Sequence, residues 1–230
     1  MCSRVWDVSS DNEARPPGLR VRPVSVQWDT IGAMTNDVRD YWDAQAATFD
    51  EEADHGLLDP KVREAWLSLL RPCLPAPPAS VVDLGCGTGT LSVLLAEQGY
   101  DVRGVDISAP MVEAARAKAA TAGLDVTFTQ GDAARPPYSP GSCDVVLSRH
   151  VLWAVPDPSA ALDRWMDLLR PDGRLVLVEG HWFTGGGLAA AACEALVREH
   201  REEATVQLLT DPTLWGGPID DERYLLVSLG

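Results

Sequence analysis

Residues 81–91 read VVDLGCGTGTL, and this stretch decides the fold of the chain. Two valines begin a strand of buried character, Asp83 follows them, and glycines stand at positions 85, 87 and 89. In an open parallel sheet, the first turn from strand to helix lets the backbone approach a ligand closely, because glycine has no side chain to block it. A tight turn without a ligand would use the same residues, so the loop alone is a weak signal.

Strand-like and helix-like segments alternate after this stretch. The predicted strands lie at 81–84, 102–105, 126–129, 145–148 and 175–178, and the predicted helices lie at 89–98, 110–120, 158–169 and 188–200. This alternation predicts a parallel sheet with helices on both faces. Two more strands, at 206–209 and 224–229, are joined by a short connection, which predicts an antiparallel pair at the edge of the sheet.

Two helical patterns, at 36–49 and 60–70, precede the glycine loop, and each carries its apolar residues on one stripe. The proline-rich stretch 71–78 ends the second pattern and is predicted to be a stiff connector. Residues 1–34 show neither the helical nor the strand period. We therefore predict a loose N-terminal extension over 1–34, followed by a domain over 35–230.

The composition of the chain argues against several classes of binding partner. The chain has 230 residues, with 19 lysines and arginines against 34 aspartates and glutamates, a formal charge of −15. Such a charge repels polyanions, so we expect neither nucleic acid nor an anionic membrane as a partner. Five widely spaced cysteines with no C-x-x-C pair predict neither a disulfide framework nor a metal site. Without an apolar run of ~18 residues or a signal peptide, a cytoplasmic location is expected.

Asp106 ends the second predicted strand, roughly 20 residues after the loop, where an acidic side chain can accept hydrogen bonds from ribose hydroxyls. The alternative is a helix cap or a solvated carboxylate. The loop spacing is G-x-G-x-G, whereas a dinucleotide loop is G-x-G-x-x-G, and the carboxylate of Asp83 is a poor neighbour for pyrophosphate. These residues favour S-adenosylmethionine, whose ammonium and sulfonium groups are cationic.

The chain resembles the class I S-adenosylmethionine-dependent methyltransferases over about residues 36–229. The resemblance rests on VVDLGCGTG (81–89), GVDIS (104–108), QGDA (130–133), CDVVLSRHVLWAV (143–155) and LLRPDGRLVLVEG (168–180). It implies an α/β, Rossmann-like, doubly wound, seven-stranded sheet whose last strand is antiparallel, with an N-terminal helical lid over 35–78 and a core over 79–230. The motifs are most similar to the branch that includes ubiquinone and menaquinone biosynthesis and many secondary-metabolite methyltransferases.

The resemblance also implies which residues bind the cofactor. They are Asp83, Gly85, Cys86 and Gly87 at the methionine portion, Asp106 at the ribose, Ile107, Met111, Asp132 and Ala133 at the adenine, and Arg149 near the sulfonium. For Asp132 the alternative is a surface aspartate in a turn.

Catalysis of methyl transfer depends mainly on alignment, which supplies on the order of 7–11 kcal/mol, whereas a general base supplies about 3–5 kcal/mol. A base is therefore not required. If one is used, His150 is the first candidate because it follows the fourth predicted strand, and His55 is the second. The alternatives are a packing or substrate-orienting role for His150 and a structural loop role for His55.

Aromatic residues are candidates for the acceptor pocket, namely Tyr41, Trp42, Phe49 and Trp153. An aromatic stripe at helical spacing is more often part of a core.

We thus expect a monomeric or homodimeric methyltransferase that moves a methyl group from S-adenosylmethionine to a small, neutral or cationic acceptor by direct displacement, releasing S-adenosylhomocysteine. Two alternatives remain. One is a protein on this fold that binds the same cofactor but has another reaction or no catalytic role, and the other is a nicotinamide-dependent oxidoreductase. Methylation of O, N, S or C is open at this point.

Overall fold

The computed structural model describes residues 35–230, and the predicted extension over 1–34 lies outside the described residues. The helices of the described part are α1 (Thr35–Gln45), α2 (Ala53–Gly56), α3 (Pro60–Leu70), α4 (Thr90–Ala96), α5 (Ala109–Thr121), α6 (Pro158–Leu168) and α7 (Ala190–Arg198). The strands are β1 (Ser80–Leu84), β2 (Asp101–Asp106), β3 (Thr127–Gln130), β4 (Cys143–Arg149), β5 (Leu169–His181), β6 (Thr205–Leu208) and β7 (Glu222–Ser228). None of these helices is long and apolar enough to span a membrane.

The strands form one seven-stranded sheet in the order β3-β2-β1-β4-β5-β7-β6. Strands β1 to β5 pair in parallel, and β7 runs antiparallel to both of its neighbours, β5 and β6. The parallel sheet and the antiparallel edge pair expected from the sequence are confirmed. The strand order reverses between β1 and β4, and ligands of such sheets bind beyond the carboxyl ends of the strands at this point.

Two predicted boundaries are wrong. The helix predicted over 36–49 ends at Gln45, and Phe49 begins a separate 3₁₀ turn, Phe49–Glu51. The physical reason is a tertiary contact, because the Phe49 ring stacks on His55, outside the helix. Strand β5 is longer than the predicted 175–178, since it begins directly after α6 and pairs along β7 as far as His181.

Each face of the sheet carries a hydrophobic cluster. On one face, Trp66 and Leu70 of α3 pack with Val81 and Leu147 of the central strands. On the opposite face, Trp165 of α6 and its neighbours pack against β4 and β5. Trp66 is fully buried, and its indole N–H donates to the carbonyl of Leu214 at 2.8 Å. Helix α3 therefore contributes to the core, although it lies within the segment that the sequence analysis assigns to a lid.

Glu179 of β5 holds the loop that follows β4. Its side chain is fully buried, and one carboxyl oxygen accepts hydrogen bonds from the backbone N–H groups of Val151 at 3.0 Å and Leu152 at 2.8 Å. The other carboxyl oxygen has no partner among the described residues. Burial raises the pKa of Glu179 to about 8, so the carboxyl is mostly neutral at neutral pH. The loop is thus fixed by a carboxyl group that would be costly to ionise.

We predict that Glu179→Gln changes the pH dependence of stability. The folded pKa of Glu179 is raised, so its contribution to the free energy of unfolding falls as the pH rises from about 4.5 to about 8. Glutamine keeps the acceptor oxygen and cannot ionise. Denaturant unfolding should therefore show the variant gaining stability relative to wild type between pH 5 and pH 8.5. The exposed Glu113→Gln is the matched control, and an equal pH dependence in both variants would contradict the role of burial.

Candidate cofactor and acceptor site

The glycine loop after β1 has a backbone that side chains would disturb. Gly85, Gly87 and Gly89 have φ angles of 71°, 54° and 75°, in the left-handed region that favours glycine. A Cβ at Gly89 would lie 2.7 Å from the Cβ of Ala115, and one at Gly87 would lie 3.2 Å from the Phe49 ring. The loop is bare partly because the protein itself packs against it.

Asp106 fastens this loop to the start of α5. Its carboxylate accepts a hydrogen bond from the backbone N–H of Gly87 at 2.9 Å and another from Ser108 at 2.9 Å. The side chain is buried, so it is not a solvated carboxylate, and burial raises the pKa of Asp106. A carboxylate can accept further hydrogen bonds, so Asp106 retains capacity for ribose hydroxyls.

Asp83 is a second buried carboxylate near the loop. It accepts a hydrogen bond from the Ser92 hydroxyl at 2.6 Å. Burial raises the pKa of Asp83 to about 6, and the charge of Asp106 acts in the same direction. Two neighbouring buried carboxylates are costly unless a positive charge accompanies them. A cationic ligand would supply that charge.

Two other predicted loop residues, Gly85 and Cys86, have little in their side chains that could bind a ligand. The thiol of Cys86 is half-buried, and burial raises its pKa well above the ordinary value, so it is neutral and unreactive. The backbone N–H of Cys86 donates to the Val105 carbonyl at 3.0 Å, beside the Gly85 N–H at 2.8 Å. These bonds fix the loop against β2.

The residues predicted at the adenine are placed near the ends of β2 and β3. Asp132 is exposed and its carboxylate accepts from the N–H of Ala134 at 2.8 Å, so it does stabilise a turn. Ala133 is buried beneath Trp165, and Ile107 is half-buried, its carbonyl accepting from the Gln130 amide at 3.2 Å. Met111 is 1% exposed and offers almost no surface to a ligand in this conformation. Their adenine contacts stay predictions.

The N-terminal segment is tied to the glycine loop. Asp50 accepts a hydrogen bond from the Thr88 hydroxyl at 2.5 Å and forms an ion pair with Lys118 at 2.8 Å. The neighbouring Asp43 has a buried carboxyl oxygen without a partner among the described residues, and its charge raises the pKa of Asp106. Asp43 is a candidate cofactor residue that the sequence analysis missed, because only the fold of α1 onto α5 brings it there.

The predicted aromatic residues of this segment form a row of rings. Tyr41 meets Trp42 edge to face at 5.0 Å, Trp42 meets Phe49 at 6.3 Å, and Phe49 stacks on His55 at 4.2 Å. Because Phe49 also lies against Gly87, the row connects the glycine loop to His55. Tyr41 is the outermost member, at 36% exposure.

Arg149 contacts the N-terminal segment. Its guanidinium donates to the backbone carbonyl of Asp54 and lies 5.2 Å from the Trp66 ring centre. The charge of Asp83 also acts on it. The structure therefore places Arg149 between the loop carboxylates and α3, and its predicted contact with a sulfonium stays a prediction.

His150 has a strained backbone and an unpaired ring. Its φ is 60°, which is uncommon for a residue other than glycine and persists only when neighbours enforce it. Its N–H donates to the Val178 carbonyl at 2.8 Å, its carbonyl accepts from the Trp153 indole at 2.9 Å, and Glu179 holds the next two residues. Both ring nitrogens are buried without a partner among the described residues.

The surroundings of His150 define a cluster, which we call the tryptophan–histidine cluster: His55, His150, Trp153, Trp182, Trp215 and Arg223. The His150 ring lies 5.4 Å from Trp182 and 6.5 Å from Trp215. The Arg223 guanidinium lies over both of these indoles, at 5.3 and 5.2 Å, and Trp153 lies 4.9 Å from Trp182. The cluster joins the carboxyl end of β4 to the end of β5 and the start of β7.

Both histidines of the cluster are neutral at neutral pH. Burial lowers the pKa of His150 well below its ordinary value, and the charges of Arg149 and Arg223 lower it further. Burial lowers the pKa of His55 to about 4, although Asp54 opposes this shift. A neutral imidazole can accept a proton or a hydrogen bond from a bound molecule.

Three residues of the tryptophan–histidine cluster were also missed by the sequence analysis. Trp182 follows β5 as His150 follows β4, so the rule that parallel strands end at the same edge could have found it. Arg223 lies opposite Gly180 across an antiparallel pair, and Trp215 lies in a 3₁₀ turn that packs on α3, so neither carries a local signal.

Residues 82–177 match the family model described as a methyltransferase domain. The chain is 42% identical over 107 residues to nocamycin O-methyltransferase of Saccharothrix syringae, a match that covers 45% of this chain and 38% of that protein. It is 34% identical over 145 residues to a demethylmenaquinone methyltransferase of Beutenbergia cavernae, which covers 63% of this chain and 58% of the relative. The chain thus spans about two fifths to three fifths of the length of these curated relatives.

A solved structure of the [4+2]-cyclase SpnF shares the fold. The TM-score is 0.63 at 18% identity, and the match covers 72% of this chain and 80% of the cyclase. Since this likeness is one of fold, it does not assign a reaction. The family match identifies residues 82–177 as similar to a methyltransferase domain, and the order and directions of the seven strands fit the Rossmann-like fold expected from the sequence.

Proposed function

We propose that this protein is an enzyme that transfers a methyl group from S-adenosylmethionine to a small-molecule acceptor. The observation that carries the proposal is the placement of two buried carboxylates, Asp83 and Asp106, beside a bare loop at the carboxyl edge of the sheet. At this edge the neutral His150 follows β4, and the neutral His55 stacks on Phe49 next to the loop. The carboxylates suit a cationic cofactor with ribose hydroxyls. The histidines suit an acceptor that loses a proton.

The cofactor supplies an electrophilic methyl group on a sulfonium. The protein's contribution is to hold the two reactants in line and to exclude water. The glycine loop and Asp106 would fix the nucleoside, and the ring row from Trp42 to His55 would cover the methionine end. His150 would receive the acceptor proton, since both of its ring nitrogens lack a hydrogen-bond partner among the described residues.

Finer features of the function follow from the same observations. The two curated relatives are named for nocamycin and demethylmenaquinone, which supports a small-molecule acceptor and a role in secondary metabolism. The formal charge of −15 supports an enzyme that does not bind nucleic acid. We propose a cytoplasmic monomer or homodimer, with the catalytic domain over 35–230 and a lid within 35–78.

A second candidate function keeps the cofactor and changes the reaction. The named activity of SpnF, a [4+2]-cyclase on the same fold, favours including it. The two candidates differ in one product, because only methyl transfer forms S-adenosylhomocysteine in step with acceptor consumption.

We predict that wild-type protein binds S-adenosylhomocysteine in a calorimetric titration and that Asp106→Asn binds it at least about 10-fold more weakly. Hydrogen bonds to a charged group contribute about 1.5–3 kcal/mol each, and the variant removes the charge while keeping the shape. Asp101→Asn, at the exposed start of the same strand, is the matched control. Absence of binding by folded wild type, or equal affinity in Asp106→Asn, would overturn the cofactor site.

We predict that His150→Gln lowers methyl-transfer turnover by at least about 10-fold, because a general base typically contributes about 10²–10⁴-fold. Its affinity for S-adenosylhomocysteine should change less than about twofold on the same argument, since the ring lies on the acceptor side. Turnover is followed as S-adenosylhomocysteine formed with the best acceptor from a panel of phenols, amines and thiols. The control is His200→Gln, whose ring pairs with Asp163 at 2.9 Å away from the cluster. Unchanged turnover in His150→Gln would refute the catalytic role.

A further inference from the structure

Unsatisfied hydrogen-bonding atoms concentrate in the tryptophan–histidine cluster. Nine buried side-chain nitrogen or oxygen atoms of the described residues lack a partner, and four of them belong to this cluster. They are Nδ1 of His55, both ring nitrogens of His150 and Nε of Arg223. A buried polar atom without a partner costs about 1–3 kcal/mol, so native proteins rarely keep several together. Their concentration points to a bound molecule that satisfies them.

These atoms surround one place at the carboxyl edge of the sheet. Trp182 and Trp215 each contact both His150 and Arg223, which brings these two side chains together. His55 is near enough for its charge to act on the His150 ring. The row through Phe49 places the group next to the glycine loop.

The donor and acceptor properties of the four atoms select a chemical group. Arginine Nε only donates, whereas a neutral imidazole donates from one nitrogen and accepts at the other. A hydroxyl group can accept from two N–H donors and donate its own proton to a ring nitrogen. One hydroxyl can therefore satisfy three of the four atoms, whereas an ammonium group cannot accept from Arg223 at all.

The charges around the group favour a neutral acceptor. Arg223 is paired with Asp221 at 3.0 Å, and Arg149 is bound to a carbonyl and an indole face, so two guanidinium groups lie within the site. Asp54, 3.7 Å from His55, is the other carboxylate beside the cluster. The fixed charges nearly balance, which favours a neutral acceptor. The indole faces of Trp153, Trp182 and Trp215 favour a flat apolar body.

We propose that the tryptophan–histidine cluster binds a flat aromatic ring that bears a hydroxyl group, and that the hydroxyl oxygen is the atom methylated. This proposal rests on the proposed methyl-transfer function. The hydroxyl oxygen forms a bond to the methyl carbon while the bond from that carbon to sulfur breaks, and sulfur keeps the electron pair. The hydroxyl proton passes to a ring nitrogen of His150.

The test compares three probes by calorimetry on the full chain saturated with S-adenosylhomocysteine. 2-Naphthol is flat and carries a hydroxyl, decahydro-2-naphthol carries a hydroxyl on a ring that is not flat, and 2-(aminomethyl)naphthalene carries an ammonium on the same flat ring. We expect 2-naphthol to bind at least about 10-fold more tightly than either of the other probes. Each of the others lacks either the hydroxyl hydrogen bond or the flat ring face, and the loss of one such contact is enough for that ratio. Equal or tighter binding of either other probe would overturn the proposal.

Two variants connect the binding to the cluster. Arg223→Gln removes the stacked guanidinium, and Trp182→Leu removes a flat face but stays apolar. Each should weaken 2-naphthol binding at least about 10-fold and leave the affinity for S-adenosylhomocysteine unchanged. Arg135→Gln, at an exposed position, is the control. Wild-type affinity for 2-naphthol in both variants would refute the assigned site.

The titrations of wild type distinguish failure of the acceptor proposal from failure of the proposed function. Wild type that binds S-adenosylhomocysteine but not 2-naphthol would refute the acceptor class and leave the proposed function standing. Wild type that binds neither would refute the proposed function, and with it the acceptor proposal.

Discussion

The hydrogen bonds from Gly87 and Ser108 to the buried Asp106 carboxylate are the interaction on which the rest of the site depends. They join the loop after β1 to the turn after β2, so that two separate connections behave as one surface. The loop can then lie close to Phe49, because glycine offers no side chain there. Phe49 in turn stacks on His55, whose charge acts on the His150 ring, so the proposed acceptor site would lie beside the proposed cofactor site.

Burial shifts the pKa values of several ionisable groups at the site toward their neutral forms. Glu179 is held neutral, Asp83 and Asp106 have raised pKa values, and both cluster histidines have lowered ones, with burial the first cause in each case. Burying such groups lowers the stability of the fold, but it places them in an environment that contains little water.

Features with a local cause could be predicted from the sequence. The alternation of strands and helices, the antiparallel edge pair and the helix over 110–120 depend on patterns within a few residues, and all three are confirmed. The position of Phe49, the clamp by Glu179 and the place of Arg223 depend on contacts between distant segments, which no local pattern encodes. Asp132 lies between these cases, because the turn it stabilises and an adenine contact use the same residue type.

Asp50 accepts a hydrogen bond from Thr88 and forms an ion pair with Lys118, and these two contacts bear on the rate of turnover. With these contacts formed, Asp106 and Met111, both predicted to contact the nucleoside, are buried. If the proposed cofactor binds there, its entry and departure would require the N-terminal segment to move, and such opening often limits the turnover of enzymes that close over their substrates. The Asp50–Lys118 pair is only partly shielded from water, so dissolved salt would weaken it and ease that opening.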